Sequence, residues 1–216
     1  TAGIVRSHGA TGAFVSKWTI DKNTLAVLHG EDLIQTVGVW NGSEWEYLSG
    51  VEISRLCSAD LPPASAFFNA ETGKGFNGRF FMNGEESGAE GLAYAHGMDG
   101  VSYQLPWLGR FSWENSLTHP NAGDKTVVIG TDDSGSGQLY VYVGEKQTGG
   151  NPVEMAGLTN GVLFGIKVDG YPFEDPDTGI PSGTAFTGFD FGDVSYMTGA
   201  ELQNESRMNG VTEFQR

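Results

Sequence analysis

The stretch Leu108–Val143, LGRFSWENSLTHPNAGDKTVVIGTDDSGSGQLYVYV, decides our interpretation of the fold. Two strand candidates, Thr126–Gly130 and Gln138–Val143, flank a turn rich in Asp, Ser and Gly. The second strand has a core of β-branched, aromatic and aliphatic residues, which favours extended structure. Carboxylates lie at the ends of these strands, where a β-scaffold can direct several oxygen ligands at one centre. The stretch therefore predicts a β-rich domain that carries part of a cation-binding centre.

The rest of the chain has the same character. Glycine is abundant, with 33 in 216 residues, and no long run repeats apolar residues with helical spacing. This composition predicts an all-β domain over residues 1–216, with roughly ten or more short strands that fit a sandwich, a barrel or a propeller. We also expect a surface loop at Asp169–Gly188 and one short helix at Leu202–Arg207. The further strand predictions are Ala13–Ile20, Thr24–Leu28, Thr36–Trp40, Trp45–Leu48, Ala66–Asn69, Arg79–Met82, Gly91–His96, Val101–Leu105 and Gly161–Val168.

Charge and cysteine content limit the classes of partner. The chain has 12 Lys and Arg against 27 Asp and Glu, a formal net charge of −15. Such a chain repels nucleic acid and anionic membrane surfaces, so we expect neither as a partner. No apolar run reaches the length of a membrane span. Cys57 is the single cysteine, so no disulfide can form within the chain. The chain begins at Thr1 without Met, which we interpret as a processed or trimmed terminus.

Several short segments, in order, match a known pattern. They include a cysteine loop at Arg55–Asp60, a Glu85-Glu86 pair after Phe81–Gly84, and Gly109–Glu114, which looks like a "GRF-His-Glu" segment. Gly130–Asp133 followed by Tyr140–Tyr142 looks like a "GDD…Y.F" hairpin. In these segments the chain resembles the PhoX-type alkaline phosphatases, a family of calcium- and iron-dependent β-propeller phosphatases. Two further segments, Ser7–Val15 and Thr212–Arg216, look like the family's first strand and the start of its "F-x-R-Pro-Glu" segment.

The resemblance implies a fold, a compartment and partners. It implies antiparallel blades that form an incomplete propeller. The remainder of the protein, or a second chain, would complete the ring. At about 40–50 residues per four-stranded blade, this chain supplies only about four blades. The family's setting implies a periplasmic or extracellular protein that acts on a phosphorylated small molecule. Related propellers include phosphotriesterases, so the class of leaving group stays open.

The resemblance also implies a ligand set for calcium and iron. Its members are the acidic residues and the cysteine of the matched segments: Cys57, Glu85, Glu86, Glu114, Asp132 and Asp133. Hard cations prefer carboxylate oxygens, whereas a cysteine thiolate suits iron better than calcium. If residues 85 and 86 are extended, only one side chain can face the centre, and we predict Glu85. Asp132 and Asp133 have a simpler interpretation as turn residues, and Cys57 as a small buried hydrophobe.

The chain departs from the family pattern at several places. Trp113 stands where the family usually has histidine, and Leu61–Ala66 replaces its Pro-Trp-Gly stretch. The family's early "NHE" segment is absent, and no P-loop, GxSxG, HExxH or CxxC motif is present. Arg55 and Arg110 could bind a phosphate as bidentate donors, although a salt bridge is the simpler interpretation for both.

Two hypotheses follow from the sequence. The first is a metal-dependent phosphoester hydrolase of PhoX-like type, with this chain supplying part of the metal site. The second is a non-catalytic β-rich binding or assembly module that keeps the scaffold and perhaps a calcium ion. Cys57 and the paired carboxylates favour the hydrolase, whereas Trp113 and the missing segments favour the module.

Overall fold

The computed structural model describes residues 3–214, and most of its regular structure is β. Fourteen strands and two α-helices occur within this range. In chain order the strands are β1 (Ser16–Ile20), β2 (Val27–Asp32), β3 (Thr36–Trp40), β4 (Trp45–Leu48), β5 (Phe68–Asn69), β6 (Lys74–Gly75), β7 (Phe80–Gly84), β8 (Ala93–Gly97), β9 (Val101–Gln104), β10 (Trp113–Thr118), β11 (Lys125–Asp132), β12 (Leu139–Glu145), β13 (Val162–Val168) and β14 (Phe186–Gly192). The helices are α1 (Pro152–Met155) and α2 (Gly199–Met208).

Two five-stranded sheets form the body of the fold. The meander sheet, ordered β10-β11-β12-β13-β14, is antiparallel throughout. The mixed sheet, ordered β4-β3-β9-β8-β7, contains one parallel pair, β3 with β9. The prediction of purely antiparallel blades is wrong for that pair, because the long connection between β3 and β9 allows a crossover. The described residues form mostly antiparallel sheets and no closed propeller.

The two sheets meet where β7 lies beside β10. Trp113 at the start of β10 is 1% exposed, and its ring stacks on Phe111 with centroids 4.1 Å apart. Two glycines make room for this indole. A Cβ added at Gly84 would lie 2.1 Å from the Cβ of Trp113, and one at Gly130 would lie 2.5 Å from its six-membered ring. Trp113 is therefore a core residue of the junction between the sheets.

Local sequence signals placed most strands well. The bounds of β3 and β4 agree with the prediction, and the turn between them has Gly42 at a φ of +102°, which glycine adopts at low cost. The predicted loop Asp169–Gly188 is wrong at its end, because β14 begins at Phe186. This strand lies at the sheet edge and is largely exposed, so it lacks the apolar alternation of a half-buried strand.

Both helices begin with a capping box. Thr198 caps α2, accepting the backbone N–H of Glu201 while its own N–H donates to the Glu201 carboxylate at 2.8 Å. The predicted helix at Leu202–Arg207 is confirmed and is longer at both ends. Asn151 caps α1 in the same manner with Glu154; this single turn was not predicted. Neither described helix combines the length and the apolar character that crossing a membrane requires.

The N-terminal hairpin, β1 with β2, is little buried. Nearly all of its residues are exposed, among them Ile20 and Leu28. Trp18 is 59% exposed, and its ring lies over Gly30 of the partner strand. Trp18 is therefore not a core residue, unlike Trp113. The hairpin forms a two-stranded sheet of its own.

Candidate metal centre

Three of the predicted ligand residues lie together in space. Cys57, Glu86 and Glu114 each offer one ligand atom, and these atoms all lie within 4.8 Å of one another. The Cys57 thiol donates to Glu114 Oε2 at a distance of 3.0 Å. The three residues are far apart in sequence and each is partly buried. We refer to them below as the Cys-Glu group.

Backbone pairing along the end of β7 brings Cys57 to Glu86. The Cys57 N–H donates to the carbonyl of Gly84 at 3.0 Å, and the Glu86 N–H donates to the carbonyl of Arg55 at 2.8 Å. An antiparallel bridge joins Leu56 to Glu85 between these bonds. The cysteine loop thus continues the mixed sheet beyond β7 and holds Cys57 at its edge.

A β-bulge at the start of β10 supplies Glu114. Trp113 pairs with Asp132 and Asn115 pairs with Thr131, so Glu114 has no cross-strand partner. A bulge changes the direction of a side chain and interrupts the ladder locally. The Trp113 N–H donates to the carbonyl of Glu85 at 3.3 Å, which ties this bulge to the end of β7. The junction between the sheets therefore positions Glu114 beside Cys57.

The Cys-Glu group contains more acceptors than donors. Burial, together with hydrogen bonding to Glu114, raises the pKa of the Cys57 thiol to about 11, so the sulfur keeps its proton at neutral pH. The Glu86 side chain is 8% exposed, and its Oε2 atom makes no hydrogen bond of normal geometry within residues 3–214. One cation is close, since Arg55 Nη2 lies 2.8 Å from Glu86 Oε2. The simpler interpretation of Arg55, a salt bridge, is thus confirmed.

Glu85 lies outside the Cys-Glu group. Its Oε1 atom accepts the backbone N–H of Ser54 at 2.7 Å, so its carboxylate is already engaged as a cap for the cysteine loop. Successive side chains of an extended chain point to opposite faces, and here the face shared with Cys57 belongs to Glu86. The predicted alternation is present, but the structure brings Glu86 and not Glu85 into the group.

Asp132 and Asp133 also lie outside the group. Asp132 is 8% exposed; its Oδ2 atom accepts the Ser134 hydroxyl at 3.0 Å, and burial raises the pKa of its carboxyl. Its Oδ1 atom is buried without a hydrogen-bond partner among the described residues. The Asp133 N–H donates to the carbonyl of Ser112 at 2.7 Å. Their role as metal ligands remains a prediction.

Sequence reasoning missed two neighbours of the group. The Ser58 hydroxyl lies 3.5 Å from Glu114 Oε1, at the limit of a hydrogen bond. Arg55 forms an ion pair with Glu86, a partner that the sequence did not indicate. Ser58 and Arg55 both lie within two positions of Cys57 in the sequence, and this proximity to a candidate ligand could have indicated that they border the site.

Comparison with known proteins gives a limited result. No protein-family model matches the chain, and no curated protein matches it. Among solved structures it is similar to "Pseudomonas fluorescens PhoX in complex with vanadate, a transition state analogue", with a TM-score of 0.42 and 12% identity. The match covers 80% of this chain and 44% of that chain, so this chain spans less than half of that protein's length.

Proposed function

We propose that the chain supplies Cys57, Glu86 and Glu114 to the metal centre of a metal-dependent phosphoester hydrolase of PhoX-like type. The observation that carries this proposal is the convergence of one sulfur and two carboxylate ligand atoms within 4.8 Å. Two ligands of one metal ion at about 2.0–2.3 Å are separated by up to about 4.6 Å. Ligand atoms that lie within 4.8 Å of one another can therefore reach one cation with little movement.

The donor set favours one of the two metals over the other. A thiolate with two carboxylates suits iron, whereas calcium takes about six to eight oxygen ligands. Oε2 of Glu86 is buried and pairs with the Arg55 guanidinium at 2.8 Å, a contact that a metal ion could replace. A calcium ion would need further oxygen ligands, and the buried Oδ1 atom of Asp132 is the best remaining candidate. Glu85 and Asp133 are weaker candidates, since Glu85 already caps Ser54.

The residues of the group would hold the cation and set the charge of the site. A cation bound there would act as a Lewis acid on a phosphoryl oxygen. Glu86 and Glu114 supply negative charge, and the proton of Cys57 must leave when its sulfur becomes a ligand. Arg55 and Ser58 border the group and can donate hydrogen bonds to a bound anion.

The wider setting belongs to the same proposal. In it, the two sheets are part of an incomplete propeller that the remainder of the protein or a second chain completes. The substrate is a phosphorylated small molecule, and the protein acts in the periplasm or outside the cell. The net charge of −15 argues against a nucleic-acid substrate, because polyanions would be repelled.

A paired substitution tests the centre. Glu114→Gln keeps the size and most of the hydrogen bonding of the side chain but removes a negative ligand. We expect it to lower metal content, measured by elemental analysis, and hydrolysis of an aryl phosphate together. Glu145→Gln is the control, because Glu145 is half-exposed and pairs with Lys125 at the surface. Unchanged iron content in Glu114→Gln would refute the proposed centre.

A binding or assembly module is the second candidate. The exposed apolar side chains of the N-terminal hairpin, such as Ile20 and Leu28, favour it, because surface apolar clusters often mark contact sites. Elemental analysis separates the two. Iron with or without calcium supports the hydrolase, and calcium alone or no metal supports the module.

A further inference from the structure

Arg55 is held at the opening of the Cys-Glu group. Its side chain is 68% exposed, whereas the Glu86 carboxylate that it contacts is 8% exposed. Its backbone is fixed independently, because the Arg55 carbonyl accepts the Glu86 N–H at 2.8 Å. The guanidinium can therefore change partner without any change in the backbone that holds the group together.

The ion pair between Arg55 and Glu86 depends on whether the Cys-Glu group holds a metal ion. Without a metal, the ion pair of Arg55 with Glu86 at 2.8 Å partly neutralises the Glu86 carboxylate. A metal ion held by the group would compete for the same Glu86 oxygen and would repel the guanidinium. A bound metal ion would compensate the buried Glu86 carboxylate, so the guanidinium, which is 68% exposed, could move into water without leaving that charge unpaired.

We propose that Arg55 has two alternating partners: Glu86 before a cation is bound, and the phosphoryl group of an anionic substrate afterwards. This inference rests on the proposed function, since it needs a cation in the Cys-Glu group. A planar guanidinium can donate two parallel hydrogen bonds to a phosphate, which a lysine cannot reproduce. Arg55 is therefore a substrate-positioning residue that becomes available only when the centre is loaded.

The experiment measures phosphate binding instead of turnover. The chain is titrated with Co²⁺, and thiolate-to-cobalt absorption reports engagement of Cys57. Inorganic phosphate is then titrated calorimetrically with and without Co²⁺. We expect phosphate to bind the loaded wild-type chain, with Arg55→Gln weakening it about tenfold or more, as expected for a lost charged hydrogen bond. Arg55→Lys should recover only part of the loss.

Two further results are expected from the same variants. Arg55→Gln should bind Co²⁺ as tightly as the wild type or more tightly, because a competitor for Glu86 has been removed. Arg207→Gln is the matched control, since Arg207 is 54% exposed and pairs with Glu213 away from the group. It should leave both affinities unchanged. Without Co²⁺, Arg55→Gln should not change phosphate binding.

The outcomes that overturn the inference differ from those that overturn the centre. If wild-type chain binds Co²⁺ through Cys57 but Arg55→Gln binds phosphate equally well, Arg55 has no such role while the centre stands. Loss of Co²⁺ binding in Arg55→Gln would make Arg55 a structural part of the centre and also end the inference. If wild-type chain shows no thiolate-to-cobalt absorption, the centre itself is wrong and both proposals fall.

Discussion

Two carboxylate clusters in this protein differ in how many hydrogen-bond donors surround the carboxylate oxygens. Asp124 is surrounded by donors, since its Oδ1 atom accepts from Asn69 and Thr72 at 2.6 Å each and Lys74 Nζ lies 3.1 Å from Oδ2. These partners, led by Thr72, lower the pKa of its carboxyl to about 2. The two carboxylates of the Cys-Glu group have fewer donors: Glu114 has the Cys57 thiol and the distant Ser58 hydroxyl, and Glu86 has Arg55. The Asp124 cluster is complete within the chain, whereas the Cys-Glu group would be completed by a cation.

This difference separates a structural carboxylate from a candidate ligand. A carboxylate saturated by donors fixes a turn and gains nothing from a metal. A partly buried carboxylate with an unused lone pair is costly unless a further cation is bound. Removing a carboxylate should therefore destabilise the fold at Asp124 but weaken metal binding at Glu86.

A substitution at the junction between the sheets should have the largest effect, on both stability and the Cys-Glu group. Gly84→Ala would put a methyl group 2.1 Å from the Cβ of Trp113, and relieving this contact requires β7 and β10 to move apart. We expect a loss of about 1–3 kcal/mol in the free energy of unfolding, measured with urea, because overpacking forces such shifts. Cobalt binding should weaken as well, since β10 carries Glu114.

Gly149→Ala is the control for this variant. An added Cβ at Gly149 meets nothing within 4 Å, and it carries no positive φ in the structure. Its urea midpoint should equal that of the wild type. A fully stable Gly84→Ala protein would show that the junction is more adaptable than its packing indicates.

The adjacent residues Glu85 and Glu86 allow a capping carboxylate and a candidate ligand to be compared directly. Glu86→Gln should weaken Co²⁺ binding by more than about tenfold, the scale reported for residues that only orient ligands. Glu85→Gln should leave it nearly unchanged, because an amide oxygen can still accept the Ser54 N–H. Thiolate-to-cobalt absorption measures both. The reverse pattern would restore the sequence-based preference for Glu85.

The smallest expected effect concerns pH at the Asp124 cluster. The pKa of Asp124 is about 2 in the fold and about 3.9 in an unfolded chain, so the ionised form stabilises the fold above about pH 4. That contribution is lost as the pH falls from about 4 towards 2. Asp124→Asn should therefore be less stable than wild type near neutral pH, and the difference should shrink in this acid range.

Urea midpoints measured at several pH values check this prediction. Glu52→Gln is the control, because Glu52 is exposed at the surface. The difference in urea midpoint between Glu52→Gln and the wild type should stay small at every pH. If Asp124→Asn stays less stable than the wild type by the same amount down to pH about 2, the introduced amide, and not the lost charge, causes the destabilisation.

Local signals in the sequence predicted much of the fold. The bounds of β3 and β4, on either side of the Asn41-Gly42 turn, were predicted correctly. The helix α2 was also predicted, although it begins at Gly199, after its cap Thr198, and not at Leu202. Each of these features depends on residues within a few positions of one another. By contrast, the parallel pairing of β3 with β9 depends on a distant partner and left no local pattern.

The candidate site was predicted less completely for the same reason. Cys57 and Glu114 were found through the family resemblance, because their segments are short and recognisable. The choice between Glu85 and Glu86 depends on where the cysteine loop pairs with β7, and an error of one residue reverses the face. The bulge that turns Glu114 inward is a property of two paired strands, which one strand's sequence does not reveal.

The exposed indole of Trp18 gives the N-terminal hairpin an optical label of its own. Trp18 is 59% exposed, while Trp107 and Trp113 are 7% and 1% exposed. Trp40 and Trp45 lie between these extremes. An aqueous quencher such as iodide therefore reaches the emission of Trp18 first, and the quenchable fraction of fluorescence reports on the hairpin while the remainder reports on the sheets. Covering of the hairpin by a partner can thus be followed in the native chain without an added dye.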